Sequence, residues 1–206
     1  MVRNEGLNAD QRILKRTFDI FFSVIGLIVF IIPILILILL ATFSTGKYGL
    51  FIQERIGKNA EIFKMYKIRS MKTGKETVTT ITKAGDSRIP VFGRFLRKYK
   101  LDELPQLFNV LIGDMSFVGP RPDVRGYADE LQGKDRIILS VKPGITGPAT
   151  IRFKNEEEIL AKQKDPERYN DEVIWPEKVK INIQYIENWT LWKDIKYIFK
   201  TIFNSL

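Results

Sequence analysis

Residues 20–43 contain no charged side chain. This run of 24 residues, dominated by Ile, Leu, Val and Phe, is long enough to cross the hydrocarbon core of a bilayer as one helix. A helix apolar on every side does not sit on the surface of a water-soluble domain; it meets lipid or is wrapped in protein. Two details complicate a simple span. Pro33 lies near the middle, where it removes a helix hydrogen bond and bends the axis. Both flanks are basic, with Arg12, Lys15 and Arg16 before the run and Lys47, Arg55, Lys58, Lys64 and Lys67 after it. The positive-inside rule then puts both ends on the cytoplasmic side. A helix that enters one leaflet, turns at Ile32-Pro33 and returns meets both observations. A tilted spanning helix with an ordinary proline kink is the plainer account, and the residues alone leave both open. The run starts too late for a signal peptide and is followed by no small-residue cleavage site. Arg16 and Asp19 stand at its near edge, where a pair at headgroup level would anchor the helix.

The 206 residues suffice for one medium domain. A net charge of +9 suits nucleic acid, an anionic membrane or an anionic substrate. No nucleic-acid recognition motif accompanies it, so that partner is not expected. The chain has no Cys and no His. Disulfides and thiolate metal sites are excluded, a reducing cytosol fits, and zinc is disfavoured. Acid–base and covalent chemistry falls to carboxylates, hydroxyls and Lys. A hard cation such as Mg²⁺, shared between one carboxylate and substrate phosphates, remains compatible.

Against that background Leu101-Asp102-Glu103-Leu104-Pro105-Gln106 stands out. It is an acidic pair in a basic segment, preceded by Arg94, Arg97, Lys98 and Lys100 and followed by Arg121 and Arg125. Carboxylates ringed by cations suit a phosphate ester; ordinary surface charges at a helix start are the plainer account. The pattern predicts strands over 50–53 and 62–68 around a turn at 57–60, and a loop over 73–87. It predicts a short basic helix over 91–99 and another over 105–112 stopped by Gly113, with the acidic pair at the start of the second. Adjacent residues do not share a helix face, so Asp102 and Glu103 are expected to play different roles. Gly119-Pro120-Arg121-Pro122 reads as a rigid turn that aims one guanidinium, and 143–148 as a second turn cluster. Residues 155–180 read as a charge-rich helical stretch. In the C-terminal helix, Lys193, Lys196 and Lys200 oppose Trp192, Ile195, Ile198, Phe199 and Ile202, a pattern that fits a bilayer interface or the domain core equally.

Taken in order, these pieces resemble the bacterial sugar transferase family, the monotopic polyprenyl-phosphate phosphoglycosyl transferases, in their minimal form. The resemblance rests on Lys15-Arg16-Thr17-Phe18-Asp19, Tyr66-Lys67-Ile68-Arg69-Ser70-Met71, Gly93-Arg94-Phe95-Leu96-Arg97-Lys98, 101–106 and Asp114-Met115-Ser116-Phe117-Val118-Gly119-Pro120-Arg121-Pro122. It implies an α+β fold. Residues 1–47 would form an N-terminal segment and a re-entrant membrane helix broken at Pro33. Residues 48–206 would form a small, mostly helical cytoplasmic catalytic domain with a short β element and interfacial amphipathic helices. It further implies transfer of a sugar-1-phosphate from a UDP-sugar to undecaprenyl phosphate at the inner leaflet of the bacterial inner membrane. UMP leaves, and the product starts a polysaccharide, O-antigen or glycoprotein glycan. In that reading Asp102 is the nucleophile and a ligand of Mg²⁺, and Glu103 is its partner. Arg97, Arg121, Pro120, Pro122, Lys67 and Arg69 form the phosphate site. Apolar surface is compatible with a homodimer, which nothing in the sequence specifies. A non-enzymatic basic membrane-surface protein would explain the charge and the apolar run, but not the acidic pair. Two departures stand out. The family's usual Ser before the proline is Ile32 here, and its common Gly-Arg-Asn segment is replaced by Phe153-Lys154-Asn155 and the acidic run Glu156-Glu157-Glu158.

Overall fold

The computed structural model describes residues 6–72 and 86–205. Of the loop expected over 73–87, only Asp86 and Ser87 lie within the described residues, in a turn closed by Ile89 N–H on the Asp86 carbonyl.

Helix α1 spans Ala9–Thr45. Asn8 starts it with a reciprocal cap: its side chain accepts from Gln11 N–H at 2.9 Å, and the Gln11 side chain accepts from Asn8 N–H at 3.0 Å. Gly46 ends it in the left-handed region at φ 71°, donating to the Thr42 carbonyl. The expected break at Pro33 is not a break in helical structure. Proline's fixed φ is itself helical, so the ring removes the hydrogen bond to the Val29 carbonyl and the helix runs on. Among the described residues α1 is the helix long and apolar enough to cross a membrane.

One stripe of α1 is buried along its length. Lys15, Asp19 and Ser23 line the first half; Ile34, Ala41 and Thr45 line the second. The opposite face is bare, with Ile28 73% and Phe43 78% exposed. Both halves therefore rest on the same body. The first lies on α3 (Gln106–Ile112) and β3 (Ser116–Val118), the second on β1 (Leu50–Ile56), β2 (Ile62–Ile68) and α2 (Val91–Lys98).

Strands β1 and β2 form an antiparallel hairpin from Leu50↔Ile68 to Ile56↔Ile62, so β1 is longer than the sequence suggests. Helix α2 buries Leu96 against Ala41 of α1 and Ile68 of β2. Helix α3 ends at Gly113, φ 100°. Its last carbonyls would be unpaired, and Arg16 donates to Val110 O at 2.6 Å and Leu111 O at 2.8 Å. Asp19 turns elsewhere, accepting from the Ser116 hydroxyl and Phe117 N–H, each at 3.1 Å. The expected Arg16–Asp19 headgroup pair is thus replaced by two separate ties from α1 to the body.

Residues 143–148, read as turns, contain a strand. β4 (Gly144–Thr146) runs parallel to β3. Glycine is needed there, because a Cβ at Gly144 would stand 2.1 Å from Gly119 N. The charged stretch 155–180 is not one helix. After α4 (Pro148–Arg152) it divides into α5 (Glu156–Ala161), α6 (Pro166–Tyr169), a wide turn over 170–174 and α7 (Trp175–Glu187). Pro166 sits in the first turn of α6, where a missing N–H costs nothing.

Helix α8 (Leu191–Ser205) returns to α1. Its Asp194, 1% exposed, accepts from Lys15 Nζ, Tyr185 OH (2.6 Å) and Trp189 Nε1 (3.0 Å). Ile198 packs on the core beside Val118, Tyr185 and Trp189. Trp192, Phe199 and Phe203 point outward, 77%, 55% and 69% exposed. The helix therefore divides its apolar residues between core and surface.

Candidate active site

Asp102 and Glu103 lie in a single tight turn, Leu101–Glu103, between α2 and α3. Lys100 opens the turn at φ 54°, a left-handed conformation that non-glycine residues rarely adopt. Leu101 pins it by packing on the Ile68–Leu96 cluster. Asn109, fully buried in α3, sets the distance to β2. Its Oδ1 accepts from Tyr66 N–H at 3.0 Å and its Nδ2 donates to the Lys64 carbonyl at 2.7 Å. The amide thus stands in for a neighbouring strand along the β2 edge. That brings Lys67 to Glu103, with Nζ 3.6 Å from Oε1.

The Arg121 turn is clamped from the other side. Gly119 N–H donates to Thr146 O at 2.9 Å, and Gly144 N–H donates to Pro120 O at 2.8 Å. A Cβ at Gly147 would lie 2.2 Å from Gly119 O, so the two loops meet backbone to backbone. The Pro122 carbonyl takes an Arg55 N–H at 3.4 Å. Pro120 and Pro122 are buried walls, and the Arg121 guanidinium reaches Glu103 at 3.0 Å.

The two adjacent carboxyls are driven apart. Burial alone would push Glu103 up, but Arg121, Lys67 and Lys100 outweigh it and hold the carboxyl at about 2. Burial and the neighbouring Glu103 charge push Asp102 up, opposed by Lys67, Arg97 and Arg121. Among the described residues, no group hydrogen-bonds the Asp102 carboxylate. Glu103 is a committed anion; Asp102 is an uncommitted one held among cations. Burial pushes Lys67 and Lys100 down, both partly restored by Glu103.

Not every expected phosphate ligand is free. Arg97 faces Asp102, yet its guanidinium is ion-paired with Glu157 of α5 and also donates to Met71 Sδ. Arg69 lies one residue past β2, where strand alternation no longer directs it. It donates to the Tyr48 carbonyl at 2.9 Å and covers the Phe51 ring. The structure also adds groups that the sequence reading passed over. Asn109 is one; Asp123 is another. Asp123 is pushed up to about 6 by burial, against Lys178, Arg55 and Arg121. Arg55 is lowered to about 10 by burial. Asp123 directly follows Pro122 of a recognised motif, and that proximity was the available signal.

The bacterial sugar transferase family matches residues 10–206. The chain belongs to that family. It is 34% identical to the undecaprenyl-phosphate galactose phosphotransferase of Salmonella typhimurium over 97% of this chain and 42% of the relative. It is 37% identical to the UDP-glucose:undecaprenyl-phosphate glucose-1-phosphate transferase of Escherichia coli K12, over 97% of this chain and 41% of that protein. The exopolysaccharide production protein ExoY of Rhizobium meliloti is 34% identical over 91% of this chain and 83% of its own length. The chain thus spans about two-fifths of the first two relatives and most of the third.

The donor set for a metal is narrow. Among the described residues, no group of three or more acidic side chains could hold an ion by itself. Glu103 is occupied by Arg121 and Lys67, which leaves Asp102. A single open carboxylate suits Mg²⁺, which keeps most of its shell for water and substrate phosphates.

Proposed function

We propose that this sugar transferase moves a sugar-1-phosphate from a UDP-sugar to undecaprenyl phosphate, releasing UMP, with Asp102 as the nucleophile. The observation that carries this reading is the Asp102 carboxylate: hydrogen-bonded by none of the described residues, its pKa raised by burial, and facing Lys67, Arg97 and Arg121. An Asp102 oxygen attacks the sugar-side phosphorus and a new P–O bond forms. The bond from that phosphorus to the bridging oxygen breaks, and UMP leaves with the electron pair. An oxygen of the lipid phosphate then attacks the same phosphorus. The bond to Asp102 breaks, the carboxylate is restored, and a polyprenyl-diphosphate sugar departs. Arg121 and Lys67 spread positive charge over the diphosphate, while Glu103 fixes both cations and leaves Asp102 uncapped. Asp102 would hold Mg²⁺, which when bound would supply charge neutralisation at the diphosphate.

The membrane arrangement we propose is monotopic and re-entrant. Both halves of α1 rest on one body, whereas a spanning helix would carry its ends to opposite faces. The bare face of α1 and the outward Trp192, Phe199 and Phe203 of α8 would enter the cytoplasmic leaflet of the inner membrane. The lipid phosphate lies at headgroup level, within reach of a domain seated there.

The test is UMP release from a panel of UDP-sugars with undecaprenyl phosphate and Mg²⁺, run beside Asp102→Asn. Lipid-dependent release that is lost in the variant supports the reading and names the sugar. Near-normal turnover by Asp102→Asn removes Asp102 as nucleophile.

A further inference from the structure

The acidic start of α5 lies across the cations of the site. Glu157 is ion-paired with Arg97, sixty positions away. Glu156 is 2.7 Å from Lys178, and its charge also reaches Arg121 and Asp123. A helix N-terminus favours acidic residues in general, and Glu158 of the same turn serves that role while exposed to solvent. The dipole does not aim Glu157 at one guanidinium across the active site. The pair is also accessible, with side chains 25% and 45% exposed for Arg97 and Glu157. Such a pair is weakly held and exchanges readily for a better anion. Glu157 engages one guanidinium nitrogen while the other donates to Met71 Sδ, whereas a phosphate offers Arg97 more charge and a forked contact.

We propose that Glu157 is a specificity residue of the donor site, a built-in counter-anion that occupies Arg97 until a diphosphate displaces it. This rests on the nucleotide-sugar reading above. Glu157 then acts as a threshold. Ligands with no more charge than a carboxylate fail to dislodge it, whereas a diphosphate does. Glu156 on Lys178 holds the rest of α5 in place while Glu157 is displaced.

Glu157→Gln keeps the shape and removes the charge. The donor KM is expected to fall about three- to tenfold while kcat does not fall and the acceptor KM is unchanged. UMP, measured by calorimetry without lipid, should bind tighter by a similar factor. A structural role for Glu157 would instead lower the unfolding temperature and leave UMP binding unchanged. A positioning role would raise the donor KM or lower kcat. Each of those results overturns the proposal. If the wild-type protein turns over a UDP-sugar and Glu157→Gln leaves the donor KM and UMP affinity as they were, the counter-anion falls and the transferase reading stands. If no UDP-sugar is used and UMP does not bind, inorganic pyrophosphate separates the two ideas. Tighter pyrophosphate binding by Glu157→Gln sustains the counter-anion, and unchanged binding overturns it.

Discussion

Where α1, α7 and α8 meet, the Asp194 carboxylate receives three donors: the Lys15 ammonium, the Tyr185 hydroxyl and the Trp189 indole N–H. In the turn between α2 and α3, the Asp102 carboxylate receives none from the described residues. Both acids sit away from bulk water beside positive charge, Lys15 at Asp194 and Lys67, Arg97 and Arg121 at Asp102. The difference lies in how complete their partners are. A fully satisfied buried anion fixes a position, and here it ties the membrane helix to the C-terminal helix. An unsatisfied one keeps its lone pairs for something that arrives later. Glu103 shows that the same turn can be closed when closure is useful, since Arg121 and Lys67 both engage it.

That contrast predicts opposite outcomes for two similar substitutions. Asp102→Asn should reduce transfer by at least about 10³-fold while the unfolding temperature in detergent stays within a degree or two. Asp194→Ala leaves the Lys15 ammonium buried without its counter-charge. It should cost about 3–5 kcal/mol of stability, with the surviving folded protein still active. Substantial activity loss per folded molecule in the second variant would break the distinction. Asn109→Ala lies between the two. It strips the Tyr66 N–H and Lys64 carbonyl of their partner, for about 1–3 kcal/mol, and also loosens the Lys67–Glu103 distance. It should lose both stability and kcat, measured by thermal unfolding and UMP release.

The smallest effect concerns Asp123. Its folded value of about 6 lies above the ordinary 3.8, so the folded protein binds the extra proton between those pH values. The stabilising contribution is present in full below about pH 4 and is lost as pH rises through 6. Asp123→Asn should flatten stability over that window and raise the unfolding temperature by a few degrees near pH 7.5, read from melts across pH.

The local features were legible in the sequence for local reasons. The uncharged run gave α1, alternating residues gave β2, and Gly113 marked the end of α3. The acidic pair and the Arg121 turn stood out because few charge patterns look like them. Long-range placement was not legible. β3 and β4 are three residues each, pair across a separation of 28 positions, and are flanked by glycines that read as turns. Arg69 resembles Lys67 in sequence but lies beyond the strand that orients Lys67. Nothing in the spacing of Arg97 and Glu157 forecasts that they meet. Asn109 looks like an ordinary helix polar residue until β2 is beside it.

The ties at both ends of α1 have a mechanical consequence. A helix anchored once settles to the depth its bilayer prefers, and tilts or slides as the membrane thickens or thins. α1 is held near its start by Lys15, Arg16 and Asp19, and near its end by Ala41 and Thr42. Its depth is therefore set by the protein, and the lipid must adjust. In membranes of different thickness, Asp102 would ride at one fixed height relative to α1, and the rate of transfer would follow how far the lipid phosphate is displaced from that height.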